Sequence, residues 1–116
     1  MSRRNDTNLL HDMLDAAKEA SSFAQGKQRS DLDTDRQLVL SIIRLVEVIG
    51  EAAGKLSKEF QSSHPQISWA VMVGMRNRLI HAYFDVDLDR VWDTVHDDLP
   101  PLINALEKLL TQAGEP

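Results

Sequence analysis

Cysteine is absent from the 116-residue chain. That removes disulfides, thiolate catalysis and cysteine-based zinc sites together. No apolar run approaches the roughly 18 residues of a membrane span, and the start, Met1-Ser2-Arg3-Arg4-Asn5-Asp6, lacks the apolar stretch of a secretory signal. The expectation is a cytoplasmic protein that touches no membrane. A basic surplus is missing too: 13 lysines and arginines face 18 aspartates and glutamates, for a net charge of −5. A dedicated nucleic-acid coat shows a basic face, so DNA is not an expected ligand, and action on RNA would have to rest on a local cationic site. No Glu-x-x-His pair is present, which argues against a di-metal four-helix bundle. The six aspartates from Asp85 to Asp98 lack the fixed loop spacing of a calcium site and read as caps and solvated faces. No metal and no cofactor are expected.

What is present is the balance of a soluble globular protein, 42% hydrophobic and 27% charged. At this length residues 1–116 form one domain with one core. A first helix is expected from Asp6 or Thr7 as N-cap to about Gln25, with Leu10, Met13, Leu14, Ala17, Ala20 and Phe23 facing inward and Gly26 as its stop. A polar connection from Gly26 to Asp33 follows, in which Lys27 and Arg29 make the most basic short patch near the N-terminus. The second helix, capped by Asp33 or Thr34, is expected to reach about Phe60 on the seam Leu38, Ile42, Leu45, Ile49, Ala52 and Leu56. Charge placed on that seam, as in Leu45→Asp, should unfold the chain. Gly50 and Gly54 interrupt the helix at one-turn spacing, which suggests a neighbouring helix at close range. Arg44, Glu47 and Glu51 share one face. They either pair within the helix, or Glu47 or Glu51 orients Arg76 or Arg78 from across the bundle.

Pro65 breaks the chain, and a third helix is expected from Ile67 to His81 or Tyr83. Asp87 caps a fourth, buried through Leu88, Val91, Trp92, Val95 and Leu99. Pro100-Pro101 either kinks it or begins a fifth, buried through Leu102, Ile103, Leu106, Leu109 and Leu110. The fold class is therefore all-α, an antiparallel bundle of four to five helices.

The third helix carries the unusual residues. Projected at about 100° per residue, it shows two apolar stripes: Ser68, Val71, Met72, Met75, Leu79 and Ala82, and opposite them Trp69, Val73, Ile80 and Phe84 with Arg76 among them and Asn77 and His81 at the edge. A helix apolar nearly all round is buried on two sides. In so short a chain the second side is assigned to another subunit, which makes a homodimer through the motif helix and puts Arg76 and His81 at its interface.

Arg76-Asn77-Arg78-Leu79-Ile80-His81-Ala82-Tyr83 resembles the Arg-x4-His-x-Tyr signature of the HepT-like branch of the HEPN superfamily. Ile49-Gly50-Glu51-Ala52-Ala53 upstream, and Asp85-Val86-Asp87-Leu88, Val91-Trp92 and Asp98-Leu99-Pro100 downstream, fall in the family's order. The resemblance implies a HEPN-like bundle and a metal-independent endoribonuclease toxin, paired with a minimal nucleotidyltransferase antitoxin. It implies Arg76 and His81 as catalytic residues, Asn77 in support, and Tyr83 as the hydroxyl that the antitoxin adenylylates. The chemistry agrees: histidine transfers protons near neutral pH, and arginine clamps phosphate oxygens bidentately without losing its charge. One subunit offers one such histidine, whereas cleavage by the 2′-hydroxyl calls for a base and an acid. A two-fold dimer presents both. The alternative is a non-catalytic helical adaptor dimer that partners a nucleotidyltransferase, with Arg76 paired to Glu47 or Glu51 and His81 capping a helix C-terminus.

Overall fold

Apolar residues three and four apart are the architects of this chain, because each such stripe needs a second stripe to shield it from water. The structure, a computed structural model, describes residues 3–81 and 85–112. Helix α1 runs Arg3–Ala24 and α2 runs Arg36–Lys55. Between them Gly26 adopts the left-handed conformation, φ 76°, that ends α1, and a 3₁₀ turn at Arg29–Asp33 leads to Asp35, whose carboxylate accepts from Leu38 N and caps α2. Leu10, Met13, Ala17 and Ala20 of α1 meet Ile42, Val46 and Ile49 of α2, all buried.

Short helix α3 (Lys58–Ser63) follows directly, and α4 (Trp69–Val73) and α5 (Met75–Leu79) cross beside α2. The last rod is α6 (Leu88–Asp93), a π turn at Thr94–Asp98 and α7 (Leu99–Gln112) in continuous helical backbone. It closes the core with Val91, Val95, Leu99, Leu102, Leu106, Leu109 and Leu110. With α4 and α5 taken as one broken helix, the bundle has five members, the all-α class expected. Pro100 and Pro101 occupy the first turn of α7, where a missing N–H costs least, and the π turn before them absorbs the misfit without breaking the rod.

Several expectations change, the first being that Asp35 caps the second helix and Asp33 and Thr34 do not, because α2 starts only at Arg36. The second helix stops at Lys55, not near Phe60, because Ser57 caps a new helix, its Oγ accepting from Phe60 N at 3.1 Å. Asp6 does not cap α1; it is buried and receives Ser57 N at 2.9 Å and Ser57 Oγ at 2.7 Å, so it anchors α1 to the start of α3. Phe23 is exposed beside Leu40 of α2 and does not turn into the core. Leu45 is only half-buried, at the edge of the seam. The basic patch is also largely compensated: Arg29 donates to Asp89 at 2.7 Å and Asp33 at 3.0 Å, and these hydrogen bonds, Asp89 first, raise its pKa above the ordinary value and hold it charged.

The close approach expected at Gly50 is present. A Cβ there would lie 3.1 Å from the Met72 carbonyl oxygen and 3.2 Å from that of Val73, whereas one on Gly54 would meet only a Val73 methyl at 3.7 Å. The C-terminal carbonyls of α4 thus rest on α2 at Gly50, and this contact sets where the following residues stand.

Candidate active site

The motif begins where the third helix fails to continue. Gly74 joins α4 to α5 at φ −89° and ψ 1°, its N–H bonded back to the Ala70 carbonyl. Met75 and Leu79 turn into the core, and Ile80 leaves the helix for extended backbone. Ile80 pairs with Val86 in an antiparallel bridge. His81 N donates to Asp85 O at 2.7 Å and Asp87 N to Leu79 O at 2.8 Å, pinning both ends of the loop. The helix therefore ends at Leu79, not at His81 or Tyr83, because β-branched Ile80 and Val86 find a ladder partner in each other. Helical projection no longer relates Arg76 to His81.

The two expected stripes regroup accordingly. Trp69, assigned above to a partner's face, is buried in its own subunit and donates Nε1 to the His64 carbonyl at 2.9 Å. Val71, assigned to the core, is exposed, as is Val73. Ser68 is exposed at the start of α4. Phe84, Ala82 and the candidate Tyr83 lie outside the described residues.

Arg76 sits half-exposed on α5, and α2 reaches it. Its Nε lies 3.7 Å from Glu47 Oε2, and Nη1 donates to Asn77 Oδ1 at 3.5 Å. The Nε atom is shut off from solvent and makes no hydrogen bond among the described residues. Glu47 meanwhile holds Arg44 at 2.7 Å, and Arg44 also reaches Glu51 at 3.6 Å. That hydrogen bond to Glu47 is the chief cause of a raised Arg44 pKa. Both readings of this face are realised: Arg44 pairs within the helix, and Glu47, not Glu51, turns toward Arg76.

His81 is well exposed, 61% at its side chain, with Nε2 at 3.9 Å from Asp87 Oδ2. Asp87 uses its other oxygen to accept Arg90 N at 3.0 Å as the N-cap of α6. The carboxylate is thereby fixed beside the imidazole. Sequence reasoning found the cap and missed the neighbour, since the loop that returns Asp87 to His81 has no periodic signal. Asn77 is exposed next to Arg76. No hydrogen bond or ion pair among the described residues joins Arg76 to His81, so one chain places them in sequence near one another without coupling them. No group of three or more histidine, aspartate or glutamate side chains suited to a metal occurs among the described residues.

Of the other three histidines, two stack on aromatic rings. His64 stacks on Phe60 at 4.2 Å between ring centres with Nδ1 on the Phe60 carbonyl, and His96 stacks on Trp92 at 5.2 Å with Nδ1 at 2.8 Å from Asp97. No described helix is long and apolar enough to cross a membrane.

The family model described as ribonuclease HepT-like matches residues 13–109. A protein of Thermococcus cleftensis described as "probable ribonuclease HepT" is 36% identical over 107 residues, 92% of this chain and 97% of that protein. Two proteins of Methanocaldococcus jannaschii described as "putative RNase" are 32% and 30% identical, the second over 99% of both chains. No solved structure gives a significant match. The matched span takes in the motif and every helix that positions it.

Proposed function

The chain belongs to the HepT-like ribonuclease family, and from that premise we propose that it is the toxin of a toxin–antitoxin pair, a metal-independent endoribonuclease acting as a homodimer in the cytoplasm. The observation that carries this reading is the loose pairing of the two motif side chains. Arg76 and His81 face carboxylates at 3.7 and 3.9 Å, beyond ordinary hydrogen-bond length, and the imidazole is open to solvent. A guanidinium and an imidazole recruited only for stability would be closed onto their partners.

In the reaction one His81 takes the proton of the RNA 2′-hydroxyl as its oxygen attacks phosphorus. The His81 of the second subunit protonates the departing 5′-oxygen. The P–O5′ bond breaks, leaving a 2′,3′-cyclic phosphate and a 5′-hydroxyl. Arg76 stabilises the negative charge that builds on the non-bridging oxygens, with Asn77 holding the guanidinium or the phosphate. Val71 and Val73, exposed by 41% and 48% on α4 just before the motif, supply apolar surface for the dimer contact. Tyr83 follows His81 by two residues in sequence, and a nucleotidyl group added there by a minimal nucleotidyltransferase would bring anionic bulk beside the substrate phosphate.

The test is cleavage of bulk cellular RNA by the purified, unmodified protein in excess chelator beside His81→Ala. Wild-type cleavage with cyclic phosphate ends, lost in the variant, is expected. Should neither protein cut while mass spectrometry finds Tyr83 bare, the non-catalytic adaptor becomes the better reading.

A further inference from the structure

Arg76 is not simply exposed at the motif; it is approached from behind by a charged pair on α2. Glu47 offers one oxygen to each of two arginines, Oε1 to Arg44 at 2.7 Å and Oε2 to Arg76 at 3.7 Å. The first is a full charge-assisted hydrogen bond, and the second is too long to be one. Arg44 therefore holds the carboxylate back. What remains is an electrostatic brace on the Nε side of Arg76, which is closed to solvent and has no hydrogen bond among the described residues. The guanidinium is planar, so holding its Nε edge toward α2 fixes the plane in which its Nη groups can meet phosphate oxygens.

The brace depends on helix spacing. Glu47 stands one turn before Gly50, and at Gly50 the Met72 and Val73 carbonyls approach α2 so closely that a Cβ would lie 3.1 and 3.2 Å away. Arg76 follows those carbonyls by three residues. The glycine contact brings the motif within reach of Glu47.

We propose that Glu47, held back by Arg44, is a positioning residue for Arg76, an inference that rests on the ribonuclease reading and names what aims its phosphate-binding group. Two opposite signatures follow. Without the Glu47 charge the guanidinium loses its aim but gains no competitor. Without Arg44 the carboxylate is free to close on Arg76 and compete with phosphate.

Glu47→Gln, which keeps shape and lies at a half-exposed site, should lower the apparent kcat for bulk cellular RNA about fivefold or more, within the range of coupling between contacting residues, with apparent KM nearly unchanged. Arg44→Ala should instead raise apparent KM, and Arg44→Lys should restore it. Independently of cleavage, the Arg76 Nε–H signal in ¹⁵N–¹H spectra should exchange slowly with water in the wild type and faster in Glu47→Gln. A kcat and KM for Glu47→Gln equal to wild type, or an Nε–H exchange rate that Glu47→Gln leaves unchanged, overturns the brace. If the wild type cuts no RNA, the ribonuclease reading falls and takes the catalytic role of Glu47 with it, while the exchange measurement still decides whether the brace exists.

Discussion

Helix α2 and the segment from Trp69 to Asp87 are neighbours in space and opposites in construction. The first is a long regular helix with Ile42, Val46 and Ile49 wholly buried. The second is two five-residue helices, a glycine joint, one β-bridge and a loop. Regularity serves burial, because a periodic stripe satisfies backbone and core together. The broken segment gives up that economy and gains freedom to present Arg76 and His81 to solvent. The frame carries the fold, and the irregular segment carries the residues to which the proposed function assigns the chemistry.

The largest effect should come from charging the frame. Ile49→Asp buries an unpaired carboxylate where exposure is 0%, at a cost above about 4 kcal/mol, enough to unfold a marginally stable domain; circular dichroism should show lost helix. Leu45→Asp should cost less than the periodic seam suggests, since Leu45 is half-buried beside Leu40 and Phe23. Next in size is Asp6→Ala, which strips Ser57 N–H and Oγ of their acceptor and should cost about 1–3 kcal/mol in denaturant unfolding.

Gly50→Ala probes the joint between the two regions. A gain of up to about 1 kcal/mol in helix propensity opposes the crowding of two backbone carbonyls. Stability should stay near wild type while RNA cleavage falls, as α4 shifts and carries Arg76 from Glu47. Gly54→Ala, whose Cβ meets only a methyl at 3.7 Å, should change neither. A small effect is also expected at Asp98. Desolvation, with Asp97 and Asp93 adding repulsion against the pull of Arg90 and Arg78, raises its pKa above the ordinary 3.8. A carboxyl with a raised folded pKa favours the folded state in acid and disfavours it once ionised. Asp98→Asn should therefore raise the melting temperature slightly at neutral pH, with the difference shrinking as pH falls through the raised folded value toward 3.8 and absent below it.

Legibility followed the same division. Helices α1, α2 and the α6–α7 rod stood out because their apolar residues repeat at helical spacing, and Asp87 because an aspartate before an apolar run is a cap. Phe60 and Phe23 misled because a stripe does not announce where a serine starts a new helix or which of its members stay exposed. The end of the third helix at Leu79 was hidden for a different reason: Ile80 and Val86 pair across a loop, and pairing at a distance has no local period. The motif residues were found by their types and spacing, and Glu47 was one of two carboxylates expected to reach across to them, yet the choice of Glu47 over Glu51 and the approach of Asp87 to His81 came only from tertiary structure.

The central claim, that chemistry resides on the broken segment and stability on the frame, is tested most directly by measuring RNA cleavage and thermal unfolding together for His81→Ala. The side chain is exposed and its nearest charged partner stands at 3.9 Å, so stability should change by no more than about 0.5 kcal/mol while cleavage in chelator disappears. Undiminished cleavage by a normally folded His81→Ala protein would contradict the account.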